Sequence, residues 1–166
     1  SEAEKCSRLN LLATWENPGP GSCYDDIGNT AKSPHVQRSE IYFTNPAEGG
    51  QPDPTFWWLD NGKCRQRLSW QTTMDFPEAV VYEGVEPETQ YTIRTTGYGK
   101  CLLKINGTRV QPTVDGTEIG AFKEFPVPQE TLKDRKLVLT WDAPEDEAHL
   151  GWRQKSRIAE IWLLKK

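Results

Sequence analysis

Apolar and polar residues alternate with a period of two along much of the chain, the spacing of strands that bury one face. Leu9, Leu11, Ala13 and Trp15 follow this pattern and predict a first strand. Residues 36–43, ending in Ile41-Tyr42-Phe43, predict a second, and 55–59 a third. Asp60-Asn61-Gly62-Lys63 supplies the turn chemistry that leads into a strand around Arg67 to Thr72. Ala79 to Tyr82 is short and apolar. The clearest stretch runs from Tyr91 to Thr96, over a Gly97-Tyr98-Gly99-Lys100 tip, through Cys101 to Ile105, and past an Asn106-Gly107 turn into a strand from Thr108. Leu137, Leu139 and Trp141 share one face of a later strand, and Arg157 to Leu164 predicts the last. Only 128–135 reads as a helical turn.

Between these segments lie loops rich in chain breakers, notably 16–35 and 44–54. About ten short strands separated by such turns predict an all-β fold, an antiparallel β-sandwich with the jelly roll as its favoured variant. A length of 166 residues suits a single domain, 1–166, with one core. No apolar run approaches the roughly 20 residues of a membrane span. Seven Trp, five Tyr and five Phe give enough surface to bury that disorder is not expected. Ser1 to Lys5 does not read as a signal peptide. Cys6, Cys23, Cys64 and Cys101 are widely spread with no C-x-x-C pair, so a zinc knuckle or dithiol site is not expected. Up to two disulfides and simple buried thiols both stay open.

Charge changes the picture more than composition does. The chain carries a net −4 and two His, a poor composition for a general nucleic-acid binder or a metalloenzyme. Residues 91–110 hold four basic groups (Arg94, Lys100, Lys104 and Arg109) and no acid. Residues 151–166 hold five basic groups against Glu160 alone, so the two segments together are +8 and the other 130 residues −12. If successive strands reverse direction, the 97–100 tip, the 115–121 loop and the 143–156 loop share one end of the sandwich. Tyr98, Lys100, Trp152, Arg153 and Lys155 are then expected to converge there.

Catalytic signatures are missing. Asp25-Asp26 and Glu145-Asp146-Glu147 are the acid clusters in loops, and adjacent acids on one loop do not give the opposed carboxyls of a glycosidase. His35 and His149 stand apart from any nucleophile in sequence, and no nucleophile elbow or phosphate-binding glycine loop is present. Asp25, Asp26 and Asn29 offer hard oxygen ligands in a glycine-containing loop, a candidate structural Ca2+ site, with Asx-turn bonding as the alternative. Asn106-Gly107-Thr108 matches a glycosylation sequon but reads first as a hairpin turn. Trp15, Trp70, Trp141 and Trp162 read as core residues, and Trp57-Trp58 as one inward and one outward side chain. Trp152, in a polar loop, and Tyr98, between glycines, are the expected exposed aromatics. A ring beside cations can pack on the C–H face of a sugar while Arg or Lys donates to its hydroxyls and carboxylates.

The hairpin from Tyr91 to Gly107, the strand Lys136-Leu-Val-Leu-Thr-Trp141 and the closing Ala159-Glu-Ile-Trp-Leu-Leu-Lys-Lys166 resemble galactose-binding-like β-sandwich modules, the folds of carbohydrate-binding module families 6 and 35. Asn17 to Asn29 is similar to a segment in C-terminal domains of large bacterial glycan-degrading proteins. The likeness covers about two thirds of the chain, and its motifs speak to the fold more than to the ligand. It implies a bacterial, extracytoplasmic module (periplasmic, cell-surface or secreted) linked to a catalytic neighbour. Those families typically hydrogen-bond sugar hydroxyls through an Asn in the loop before the last strand, yet no Asn follows Asn106 here. Trp152, Arg153, Gln154 and Lys155 occupy that loop instead.

The expected function is therefore a non-catalytic carbohydrate-binding module holding a parent hydrolase or lyase on an acidic pectic glycan such as polygalacturonate. Lys100, Arg153 and Lys155 would meet uronates, Lys104 and Arg94 would add field, and Tyr98 or Trp152 would stack on a ring. No cofactor is required beyond the possible structural Ca2+. The expected partners are a polysaccharide and the covalently linked catalytic module, with a monomeric chain, no nucleic acid and no membrane insertion. The alternatives are a neutral-sugar module, a structural sandwich packed on a catalytic neighbour, and a small jelly-roll lyase or hydrolase.

Overall fold

A computed structural model describes residues 1–27, 32–37, 77–118, 121–150 and 156–166, together with the backbone of 55–58 and 65–68. The first element corrects the sequence expectation. Residues Glu2–Ala13 form a helix, α1, where alternation predicted a strand around Leu9 to Trp15. The cause is local. Ser1 accepts the Glu4 N–H at 3.3 Å, and the Glu4 carboxylate reaches back to the Ser1 amine, a reciprocal capping box. The residues that follow are mostly good helix formers with no β-branched side chain among them.

Apart from 3-10 turns at Gln129–Leu132, within the predicted helical turn, and at Glu145–Glu147, the rest of the described regular structure is β. One five-stranded antiparallel sheet has β1 (Cys23–Asp26), β12 (Arg157–Lys165), β6 (Tyr91–Tyr98), β10 (Lys123–Pro126) and β9 (Val114–Asp115) in that order. The other has β2 (Val36–Gln37), β5 (Ala79–Glu83), β11 (Lys136–Asp142), β7 (Leu102–Ile105) and β8 (Thr108–Arg109). A separate hairpin pairs β3 (Thr55–Trp58) with β4 (Arg65–Leu68). From β5 onward the chain passes repeatedly from one sheet to the other, as in a jelly roll. The predicted strand 36–43 is described only at Val36–Gln37, and Trp70 lies outside the described residues.

The two sheets close on a shared core. Ile93, Phe125, Ile161 and Leu163 from the first meet Val80, Tyr82, Leu103, Leu139 and Trp141 from the second. An irregularity of register between Ile158 and Glu160 lets Ile158 and Ile161 both face this core while Glu160 and Trp162 face outward. At the Asn106-Gly107 turn both residues have positive φ, 47° and 81°, as a two-residue hairpin of type I′ requires. The Asn106 amide donates to the Thr131 and Lys136 carbonyls and accepts from the Val138 N–H. Its sequon side chain is thus part of the hairpin's anchorage to β11.

The outer face of the first sheet carries a second, aromatic layer. Trp15, just past α1, meets Trp162 edge-on at 5.3 Å and Phe122 at 5.7 Å, while Tyr24 lies 5.3 Å from Trp162. Trp15 and Trp162 are buried as expected, but in this layer and not in the central core. Beneath them Glu160 is fully buried. It accepts from Trp15 Nε1 and the Tyr24 hydroxyl, each at 2.7 Å, and from Thr96 at 2.9 Å.

Candidate functional site

Strand direction places the candidate site. β6 and β11 both run toward one end of the sandwich, and β10 and β12 run away from it. The 97–100 tip, the loop before β10 and the loop before β12 therefore meet at that end. Gly99 donates its N–H to the Thr117 carbonyl at 2.9 Å, joining the tip to the second loop. Its φ of 74°, and a backbone so close to Ser156 that any Cβ would collide with it, make glycine necessary there. The third loop is fastened at its base, where Glu147 accepts from the Ser156 backbone at 2.7 Å and from its hydroxyl at 2.5 Å.

Between these loops opens a cleft of about 360 Å³, lined by Tyr98, Lys100, Thr117, Glu118, Asp146 and Leu150 with Glu147 at its base. Below it, Lys123 points inward from β10, 5% exposed, and pairs with Asp115 at 2.5 Å. Burial pushes the neighbouring Cys101 thiol up to about 12. The cleft's described polar groups are thus three carboxylates, one ammonium, a threonine and a tyrosine. Carboxylates accept from hydroxyls and an ammonium donates to them, so the set suits a polyhydroxylated ligand with an aromatic ring beside it.

The expected basic residues separate. Tyr98 and Lys100 stand at the cleft. Trp152, Arg153 and Lys155 lie outside the described residues, between Leu150 and Ser156, which bound their loop. Arg94 and Lys104 are elsewhere. Arg94 is mid-strand on the outer face of the first sheet, bonded to Glu124 at 2.7–2.8 Å and lying 4.9 Å from the Phe122 ring centre. Lys104 is on the outer face of the second sheet, where it and Arg109 share Asp142. Arg94 and Lys104, expected to add field to the loop-end surface, stand away from the cleft, because side chains in mid-strand project from faces and not from loop ends. Each of these two cations also has a carboxylate neighbour.

The candidate calcium ligands diverge as well. Asp25 and Asp26 are consecutive on β1, so they point to opposite faces, and both are fully buried. Asp25 accepts from Tyr82 at 2.9 Å and from the His35 ring and backbone at 3.0–3.1 Å. Asn29 lies outside the described residues, among which no group of three or more His, Cys, Asp or Glu is arranged to hold a metal ion.

Sequence reasoning named the loops of the cleft but not Thr117 and Glu118, and it weighed Asp146 and Glu147 only as candidate catalysts. The signal that could have found them was the loop alternation itself, applied to acids as well as to bases. No protein-family model, curated protein or solved structure matches the chain.

Proposed function

We propose that this chain is a non-catalytic carbohydrate-binding module that seats a polysaccharide in the loop-end cleft and keeps a linked catalytic module on its substrate, outside the cytoplasm. The observation that carries the reading is the convergence of three loops on a cleft with Tyr98 at its wall and both acceptors and a donor beside it. Lys100, with Arg153 and Lys155 on the adjoining loop, supports an acidic pectic ligand. Glu118, Asp146 and Glu147 favour a neutral polysaccharide, since uronates meet them with like charge.

Titration calorimetry against polygalacturonate and neutral plant polysaccharides, at low salt and at roughly 0.5 M salt, tests the reading. Binding lost with salt identifies the acidic ligand, and salt-independent binding to a neutral glycan the other. Failure of every glycan overturns the proposal. A second reading, a structural sandwich packed on its neighbour, is favoured by one observation: Leu9, Leu11 and Leu12 of α1 are exposed and no residue of that helix is buried.

A further inference from the structure

The outer face of the first sheet, away from the loop-end cleft, carries a second opening. Ile93, Ile161 and Leu163 turn into the core, so strand alternation puts Arg94, Trp162 and Leu164 on the opposite face. Trp15, just past α1, and Phe122, just ahead of β10, stand over that face against Trp162. Between them lies a cavity of about 200 Å³, walled by these three rings with Leu11, Pro18 and Leu164. Trp15 and Trp162 are buried, whereas Phe122 and Leu164 are half-buried and Leu11 is exposed, so the cavity is reached from solvent.

The walls have little hydrogen-bonding capacity to offer. Trp15 Nε1 donates to Glu160 at 2.7 Å, Trp162 Nε1 to the Trp15 carbonyl at 2.7 Å, and the Thr14 hydroxyl to the Asn10 carbonyl at 2.9 Å. Arg94, which also lines the cavity, is the exception. Its Nε and Nη2 meet one oxygen of Glu124 at 2.8 and 2.7 Å, and Nη1 meets no acceptor among the described residues. A ligand here therefore finds aromatic surface and one donor. A sugar ring would leave most of its hydroxyls unpaired, at a cost for each. A carboxylate would find the guanidinium already neutralised and would face Glu124 as a like charge. An uncharged aromatic ring with one acceptor atom complements the set, and the space suits it, since an apolar cavity of roughly 150 Å³ already takes up benzene.

We propose that this cavity binds a small uncharged aromatic molecule, its ring against Trp15, Phe122 and Trp162 and its acceptor oxygen on Arg94. The inference goes beyond glycan binding and does not depend on it, because the cavity and the loop-end cleft have no lining residue in common.

The test follows the assigned indole N–H resonances of Trp15 and Trp162 in the isotope-labelled full chain. Acetophenone, an aryl ketone, should shift both saturably with a Kd of about 1 mM or tighter. Cyclohexyl methyl ketone keeps the acceptor without the aromatic faces and should bind about fivefold or more weakly. Galactose should leave both resonances in place. In Arg94→Met, acetophenone should weaken about tenfold, while toluene, which has no acceptor, should bind within about twofold of its wild-type affinity. Absence of a saturable shift with acetophenone overturns the proposal, as does equal binding of the saturated ketone or of galactose. Unchanged acetophenone affinity in folded Arg94→Met overturns it too, and so does an equal loss for toluene. If that variant does not fold, the wild-type comparison of the two ketones and galactose decides alone.

Discussion

The Tyr82 hydroxyl and the Asp25 carboxylate, 2.9 Å apart, join the two sheets of the sandwich across its interior. Tyr82 belongs to β5 of the second sheet and Asp25 to the edge strand β1 of the first. Burial and the nearby carboxylate both push the tyrosine well above its usual range, so it remains a donor. A hydrogen bond to a charged acceptor contributes about 1.5–3 kcal/mol, and Tyr82→Phe removes this one at little cost in volume. The variant should lose stability by that amount in urea denaturation, with the slope of the transition unchanged.

The same carboxylate sets a pH dependence. The Asp25 bond, and then Cys23, raise His35 to about 10 against burial, which opposes the charge. A group whose folded value lies above its unfolded value of 6.5 contributes fully below 6.5, and the contribution is lost as pH rises through about 10. The sandwich should therefore weaken between neutral and alkaline pH. His35→Gln should flatten that part of the stability profile, as read from urea midpoints at a series of pH values.

Glu160 organises the aromatic layer. Its replacement by alanine strands the Trp15 and Tyr24 donors and Thr96 in a buried site, at about 1–3 kcal/mol for each group left unsatisfied. Glu160→Ala should then be severely destabilised, and Glu160→Gln, which keeps one acceptor oxygen, less so. Thermal melts rank the two. Red-shifted tryptophan emission in Glu160→Ala would report that Trp15 and Trp162 have opened to water.

Burial of carboxylates in a short strand is what made part of this architecture hard to foresee. β6, β7 and β11 carry their inward residues at alternate positions, as β12 does from Ile161 onward, so their pattern was legible. β1 was not, because its inward residues are Cys23 and Asp25, and a strand that turns an acid toward the interior shows no apolar alternation. Its identity depends on pairing with β12, a contact 134 to 140 positions away in sequence. α1 failed for the opposite reason: a short accidental alternation at Leu9, Leu11 and Ala13 concealed a capping box at Ser1 and Glu4. The loop end was legible because strand reversal alone determines it. The place of Arg94 and Lys104 was not, since they sit in mid-strand, where neighbouring strands bring Glu124 and Asp142 to meet them.

That separation predicts which cations matter for the proposed binding. Arg94→Ala and Lys104→Ala should leave glycan affinity within about twofold of wild type, because exposed or partly exposed ion pairs distant from a site contribute little to it. Tyr98→Ala removes the ring at the cleft and should weaken binding about tenfold, the equivalent of roughly 1.4 kcal/mol. Calorimetry on the three variants with one glycan checks both halves. Equal losses for all three would relocate the site away from the loop end.

The helix ahead of the sandwich offers the last test, and it separates the two functional readings. A helix of 12 residues is marginal by itself in water, and α1 buries none of its side chains. Leu9, at 65% exposure, and Leu12, at 41%, make no contribution to the core that would explain their character. Leu9→Gln with Leu12→Gln should change the unfolding free energy by less than about 0.5 kcal/mol, as surface substitutions do. Glycan binding should be untouched, because the cleft is built from loops that α1 does not supply. If the apolar helix instead packs on a neighbouring module, the double variant should abolish association with that module in light scattering or cross-linking of the parent protein. Loss of stability in the isolated chain would contradict the packing reading, since it would mean that α1 is held by the sandwich itself.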